Sequence, residues 1–164
     1  LKKSVADGIL REKKEHEAAR ARLDAITAVA KEAKMEIPDV LLEREVEKMF
    51  QDLEERISGM GITLEAYFDH LKRSRKELAA DWRPEAEKRV RIALTLRAIA
   101  KSENLALPKE KTEAKMQEII KDHTSAEETR KRYDEEALRE YAESILMNEE
   151  VFKLLEKECI VQTS

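Results

Sequence analysis

A single cysteine, Cys159, excludes an internal disulfide and fits a reducing compartment. No histidine or basic cluster adjoins it in sequence, so it is expected as a partly buried packing residue. Only three glycines are present, and no Gly-rich phosphate loop can be built from them. The three histidines, His16, His70 and His123, lie far apart, and no Cys/His spacing suits a metal. No apolar run approaches the ~20 residues of a membrane span, and no signal peptide is visible. The net charge of −4 comes from 32 basic and 36 acidic residues that alternate along the chain. A nucleic-acid binder needs a basic face; the short run KRSRK (residues 72–76) reads as a solvated turn. Aromatics are only 4% of the 164 residues, whereas charged residues are 41%, far above the ~25% of an average domain.

What is present is helix-forming. Ala, Glu, Lys, Leu and Arg dominate, and no Gly or Pro occurs after Pro108. The expected fold is all-α and elongated, with a high ratio of surface to core and long helices paired into hairpins. A first helix is predicted over residues 3–34, carrying Ile9, Leu23, Ile26 and Val29 at helical spacing. Thirty residues of helix would extend about 45 Å. It begins without an initiator Met or a capping residue, as expected of a piece of a longer chain.

Residues 35–37 form an extended link, because the residue before a proline is pushed out of the α region. Pro38 then opens a second helix in its first turn. Leu42, Val46, Met49, Leu53 and Ile57 follow at steps of three and four, and Phe50 widens the stripe. Gly59 and Gly61 are expected to end it in the left-handed conformation. Thr63 caps a short third helix bearing Tyr67, Phe68 and Leu71. Ser74 and Glu77 form a capping box that starts another helix.

Asp81 reads as a further N-cap, which places Pro84 in a first turn with Glu85 and Glu87 against the positive helix end. The aliphatic residues that follow (Val90, Ile92, Leu94, Leu96, Ile99) wrap most of the way round and predict a centrally buried helix. A helix over 109–122 carries Met116, Ile119 and Ile120. After a second capping box at Ser125 and Glu128, a last helix to about residue 158 carries Tyr133, Tyr141, Met147 and Phe152.

Catalytic chemistry has little support. Glu12 and His16 share a helix face in exposed surroundings and read as a surface pair. Carboxylates are so numerous that pairs at helical spacing point to no acid–base couple. Surface remains. The apolar residues Met49, Phe50, Met60, Tyr67, Phe68, Met116, Ile119, Ile120, Met147 and Phe152 are too many for one small core and are the candidates for contact with a polypeptide client. Methionine suits such a surface because its side chain adapts to varied partners. Helix-to-helix packing is the competing use for each. Leu42, Val46, Leu53 and Ile57 suit that packing, and Met49, Phe50 and Met60 suit client contact.

KMEIPDVLLEREVEKMFQDLEERISGMGITLEAYF (residues 34–68), followed by RPEAEKRVRIALTLRAIAKSEN (residues 83–104), resembles the C-terminal chaperone domain of bacterial trigger factor. The matching features are the Ile37 and Pro38 step, the A-E-x-R-V segment at 86–90, the I-A-x-x-E-N ending at 99–104 and the tail NEEVFKLLEKECIV. The likeness is strongest over 37–104 and rests on helical pattern alone over 105–133. It implies an ATP-independent holder of unfolded or nascent polypeptides, active in folding, export and cell division in the bacterial cytoplasm. Residues 1–36 would form a body helix, 37–104 a first arm, 105–133 a second arm and 134–164 a returning body helix and tail. No cofactor is implied. The family's ribosome-docking loop and prolyl isomerase domain are not seen in this sequence, so ribosome binding and isomerisation are not expected of it, nor is direct contact with nucleic acid or membrane. A homodimer is compatible with the family. The alternative is a helical scaffold or coiled-coil adaptor. That reading needs a sustained heptad, which breaks at Pro38, Gly59, Gly61, Pro84 and Pro108.

Overall fold

The computed structural model describes residues 2–122 and 134–161, with side chains described over 8–121 and 134–158. The described residues form helices α1 (Lys2–Glu32), α2 (Asp39–Ser58), α3 (Leu64–Leu71), α4 (Arg75–Ser102), α5 (Lys109–Asp122) and α6 (Glu135–Val161), with no strand among them. The all-α expectation holds. The chain divides into two units, one of Ala28–Thr95 and one of Leu1–Thr27 with Leu96–Ser164. Helices α1 and α4 contribute to both.

Local chemistry sets most boundaries in the Ala28–Thr95 unit. Pro38 is the N-cap of α2, with φ −61° and ψ 140°, one position earlier than the first-turn placement expected. Its extended ψ suits the cap, and its carbonyl accepts from the Leu41 amide at 3.0 Å. Helix α2 ends in a Schellman motif, the Ile62 amide donating to the Ile57 carbonyl at 3.1 Å and the Gly61 amide to Ser58 at 2.9 Å. Only Gly61 takes the left-handed conformation, at φ +74°; Gly59 keeps helical φ −60°. The same motif closes α3 at Lys72 and α4 at Asn104, both at positive φ. Asparagine tolerates that conformation better than most residues, whereas Lys72 takes it without such help. The Thr63 hydroxyl accepts from the Ala66 amide, and Ser74 and Glu77 exchange both capping-box hydrogen bonds, so these two predicted starts are observed.

The start expected at Asp81 is not. Helix α4 runs unbroken through Pro84, its tenth residue. The capping box at Ser74 has already nucleated the helix, and the Asp81 carboxylate is engaged elsewhere, 2.6 Å from Arg73. Glu85 and Glu87 therefore sit mid-helix and pair with Arg89 and Arg91 four residues on, not with a helix end. Nor is α4 buried all round. Ala86, Val90, Leu96 and Ala100 are buried while Ala93 is exposed.

Helix α2 runs antiparallel to the front of α4. Arg75 reaches Glu47 at 2.5 Å, and two turns further along α4 Arg83 reaches Asp39. Arg91 then donates to the Ala33 carbonyl at 3.3 Å, and on another side Arg89 meets Glu45 at 3.6 Å. Exposed pairs of this kind contribute about 0–1 kcal/mol each. The apolar interior, with Leu42, Phe50, Ile57, Leu78, Ala86 and Val90 buried, carries more of the stability.

In the other unit α5 packs on α6. Met116 and Ile119 of α5 and Leu138 and Ala142 of α6 are buried together, with Ile120 and Ile145 packed against them. Asp134 caps α6 by accepting from the Ala137 amide at 2.7 Å. Helix α5 has the bounds expected. The predicted box at Ser125 and Glu128, together with His123 and Tyr133, lies outside the described residues, as does the side chain of Cys159.

Candidate functional site

The ten apolar candidates divide by burial. Phe50 is 2% exposed and forms the centre of an aromatic knot. Its ring lies 4.7 Å from that of Trp82 and 6.1 Å, edge-on, from that of Phe68, and the Arg75 guanidinium stacks 4.6 Å above it. Aromatic pairs in these tilted and edge-on geometries add about 0.5–1.5 kcal/mol beyond area burial. The expectation of an open Phe50 is therefore corrected: one turn of α2 and the facing turns of α3 and α4 enclose it. Met116 and Ile119 are likewise buried, by α6, and Ile120 packs against the same cluster. Nothing local to α5 could have revealed this, because the covering residues Leu138 and Ala142 come from a distant part of the sequence.

Met49, Tyr67, Phe68, Met147 and Phe152 are half-buried. Tyr67 sits 6.3 Å from Phe68 at the border of the knot. Met60 stands apart at 69% exposed, and Ile62 and Leu71 near it in sequence are also open. These three bracket α3. Met60 and Ile62 flank the left-handed Gly61, and Leu71 is the last residue of α3 before the left-handed Lys72. All three side chains stay exposed at these two turns, which make the corner of the chain around α3. Sequence reasoning found Met60 and missed Ile62 as a site residue, because it picked out methionines and aromatics, and Ile62, outside any helix like Met60, carried no such signal.

Further exposed apolar residues lie on α1 (Ile9, Leu10, Leu23, Val29) and at the start of α2 (Val40), also unassigned from sequence. Residues 8–24 of α1 are exposed on every side, as their charge content requires.

Electrostatics around the corner are local. The Ser74 amide and hydroxyl hold the Glu77 carboxyl below the usual carboxylate range, and hydrogen bonding to Asp81 raises Arg73. Glu12 and His16 are both exposed, and among the described residues no group of three or more His, Cys, Asp or Glu could hold a metal ion. No helix of the described residues is long and apolar enough to cross a membrane. The arrangement presents apolar side chains on a charged helical frame, suited to reversible association with other apolar side chains.

A family model described as bacterial trigger factor protein (TF) C-terminus matches residues 1–157. The trigger factor of Anoxybacillus flavithermus is 38% identical over 120 residues, which is 73% of this chain and 28% of that protein. That of Geobacillus sp. is 34% identical over 113 residues, 68% of this chain and 26% of its own length. A Clostridium botulinum trigger factor is 31% identical over 156 residues, 94% of this chain and 36% of its own. The chain thus spans about a quarter to a third of the length of these relatives. No solved structure matches it. By the family model and by its relatives alike, the chain belongs to the bacterial trigger factor C-terminus family.

Proposed function

We propose that this chain is a client-holding chaperone domain that binds unfolded or nascent polypeptides without ATP. The C-terminal region is the chaperone part of trigger factor, and prolyl isomerisation belongs to a different domain of that family. The observation that carries the reading is the exposure of the apolar side chains of Met60, Ile62 and Leu71 at the two ends of α3. A side chain from a client gains ~25 cal/mol for each Å² of apolar area it removes from water there. Weak contacts of this size, repeated at several places, retain an unfolded segment and release it once its own apolar residues fold away.

Within the Ala28–Thr95 unit, half-buried Met49, Tyr67 and Phe68 add to the contact surface over buried Phe50; in the other unit, half-buried Met147 and Phe152 are separate candidates for client contact, and buried Met116 and Ile119 serve its packing. In this reading residues 37–104 act as a first arm and 105–133 as a second, with 1–36 and 134–164 as the body. The setting is the bacterial cytoplasm, with assistance to folding and export. Any ribosome contact runs through another domain of the family, and pairing of two copies is compatible with client holding. The broken heptad and the uncovered corner favour this over a scaffold or adaptor.

The test is suppression of light scattering when a chemically denatured protein is diluted into buffer with the folded chain. Suppression at a few-fold molar excess is expected. No suppression while circular dichroism shows intact helices would sink the proposal.

A further inference from the structure

The five methionines differ in what surrounds their thioethers. Met116 is 7% exposed and packs with Ile119, Leu138 and Ala142. Met35 in the link before α2, Met49 on α2 and Met147 on α6 are half-buried. Met60 alone is open, at 69% exposed. Its neighbours in sequence are Gly59 and Gly61, so no adjacent side chain shields it. A Cβ placed at Gly61 would meet nothing within 4 Å, and one at Gly59 only the backbone carbonyls of Arg56 and Glu55, at 3.7 and 3.8 Å. The turn itself is held by backbone. The Met60 and Ile62 amides both donate to the Ile57 carbonyl, at 2.9 and 3.1 Å.

A thioether reacts with peroxide. The sulfur lone pair attacks one peroxide oxygen, an S–O bond forms as the O–O bond breaks, and the second oxygen leaves as water. Sulfur is oxidised by two electrons to the sulfoxide and the peroxide is reduced. The product is polar, and exposure governs which methionine reaches it first. The consequence differs by site. At Met116 a sulfoxide would bury an S–O group among aliphatic side chains of α5 and α6, which costs stability unless it is hydrogen-bonded. At Met60 it leaves the backbone bonds of the turn in place. What changes is the corner: a strongly hydrated group then stands where an apolar side chain stood, near exposed Ile62.

We propose that Met60 is a reversible oxidation site: peroxide converts its thioether to the sulfoxide and weakens the corner's hold on clients without unfolding the chain, and a methionine sulfoxide reductase restores it. In the return step a pair of reductase thiols is oxidised to a disulfide and the sulfoxide oxygen leaves as water. The bare glycines on either side that admit the oxidant also leave room for the reductase to reach the side chain. This rests on the client-holding reading and adds a regulatory modification to its site.

The experiment is a time course in dilute hydrogen peroxide, followed by tryptic mass mapping, circular dichroism and aggregation suppression. Trypsin cuts after lysine and arginine, which puts the five methionines on five different peptides and Cys159 on a sixth. The Met60 peptide is expected to gain an oxygen first and the Met116 peptide last. At the stage where Met60 alone is oxidised, helix content should be unchanged. About fourfold more chain should then be needed for the same suppression, the factor that one buried methylene group carries. Methionine sulfoxide reductases A and B with a dithiol should return the untreated value. Met60→Leu supplies the control: whatever its starting suppression, the ratio of treated to untreated should stay near one. Earlier oxidation of another methionine, loss of helix at the Met60 stage, no recovery with the reductases, or an equal loss in Met60→Leu would overturn the proposal. Full suppression by the Met60 sulfoxide defeats the switch alone, whereas absent suppression by the untreated chain defeats the chaperone function and the switch with it.

Discussion

Replacing Phe50 by alanine tests whether the aromatic knot is core. The ring is 2% exposed and touches Trp82, Phe68 and the Arg75 guanidinium. Truncating a phenylalanine at such a site costs about 3–5 kcal/mol, combining lost transfer energy with the cavity left behind. Part of that is geometric, about 0.5–1.5 kcal/mol for each ring pair. Domains are stable by only ~5–15 kcal/mol in total, so the variant should unfold at much lower urea. The assay has a built-in reporter: Trp82 is the only tryptophan, and its ring lies 4.7 Å from that of Phe50. Its emission should shift in the native state and report the earlier transition. Met60→Ser is the counterpart. At 69% exposed, Met60 should change stability by no more than ~0.5 kcal/mol. A Phe50→Ala loss below ~1 kcal/mol with unaltered Trp82 emission would refute the assignment of Phe50 to the core.

Gly61→Ala should destabilise by about 1 kcal/mol because an L side chain is strained at φ +74°. Gly59→Ala, at helical φ −60° with nothing closer than 3.7 Å to its new Cβ, should be neutral or stabilising by up to ~1 kcal/mol in a thermal melt. Pro84→Ala restores an amide that can bond within α4 at an exposed position, so the melting temperature should rise, by as much as ~3 kcal/mol of stability. A fall would show that Pro84 contributes a contact of its own. Glu77 has a folded pKa lowered by Ser74, so its contribution is present above the unfolded carboxylate range and disappears as pH falls through the folded value. Glu77→Gln keeps a capping side chain without the charge, and its acid melt should depend less on pH than that of the unmodified chain.

The sequence was most legible where structure is decided within a few residues. Thr63, the Ser74 and Glu77 pair, Pro38 and Gly61 each satisfy or terminate a helix by short-range hydrogen bonding, and their effects fall at or beside the expected positions. Pro84 was misread for a related reason. A proline rule is local, but the helix around it is held by contacts from α2, including Phe50 against Trp82 and Asp39 against Arg83. Lys72 at positive φ carried no signal because lysine has no preference for that conformation. The site was legible in composition and less so in detail. Methionine and aromatic content pointed to an apolar surface, yet whether Met116 or Met60 stays open depends on which distant helix covers it. Leu138 covers the first, whereas the second sits beside a turn with nothing above it.

A photo-reactive amino acid placed at position 60 tests the central claim most directly. With a denatured client the 60-substituted chain should form a covalent adduct, and a chain with the probe at exposed, charged Glu85 should not; the same client in its folded state should label neither. Adducts formed equally from both positions, or from neither, would contradict an apolar corner that holds unfolded polypeptide.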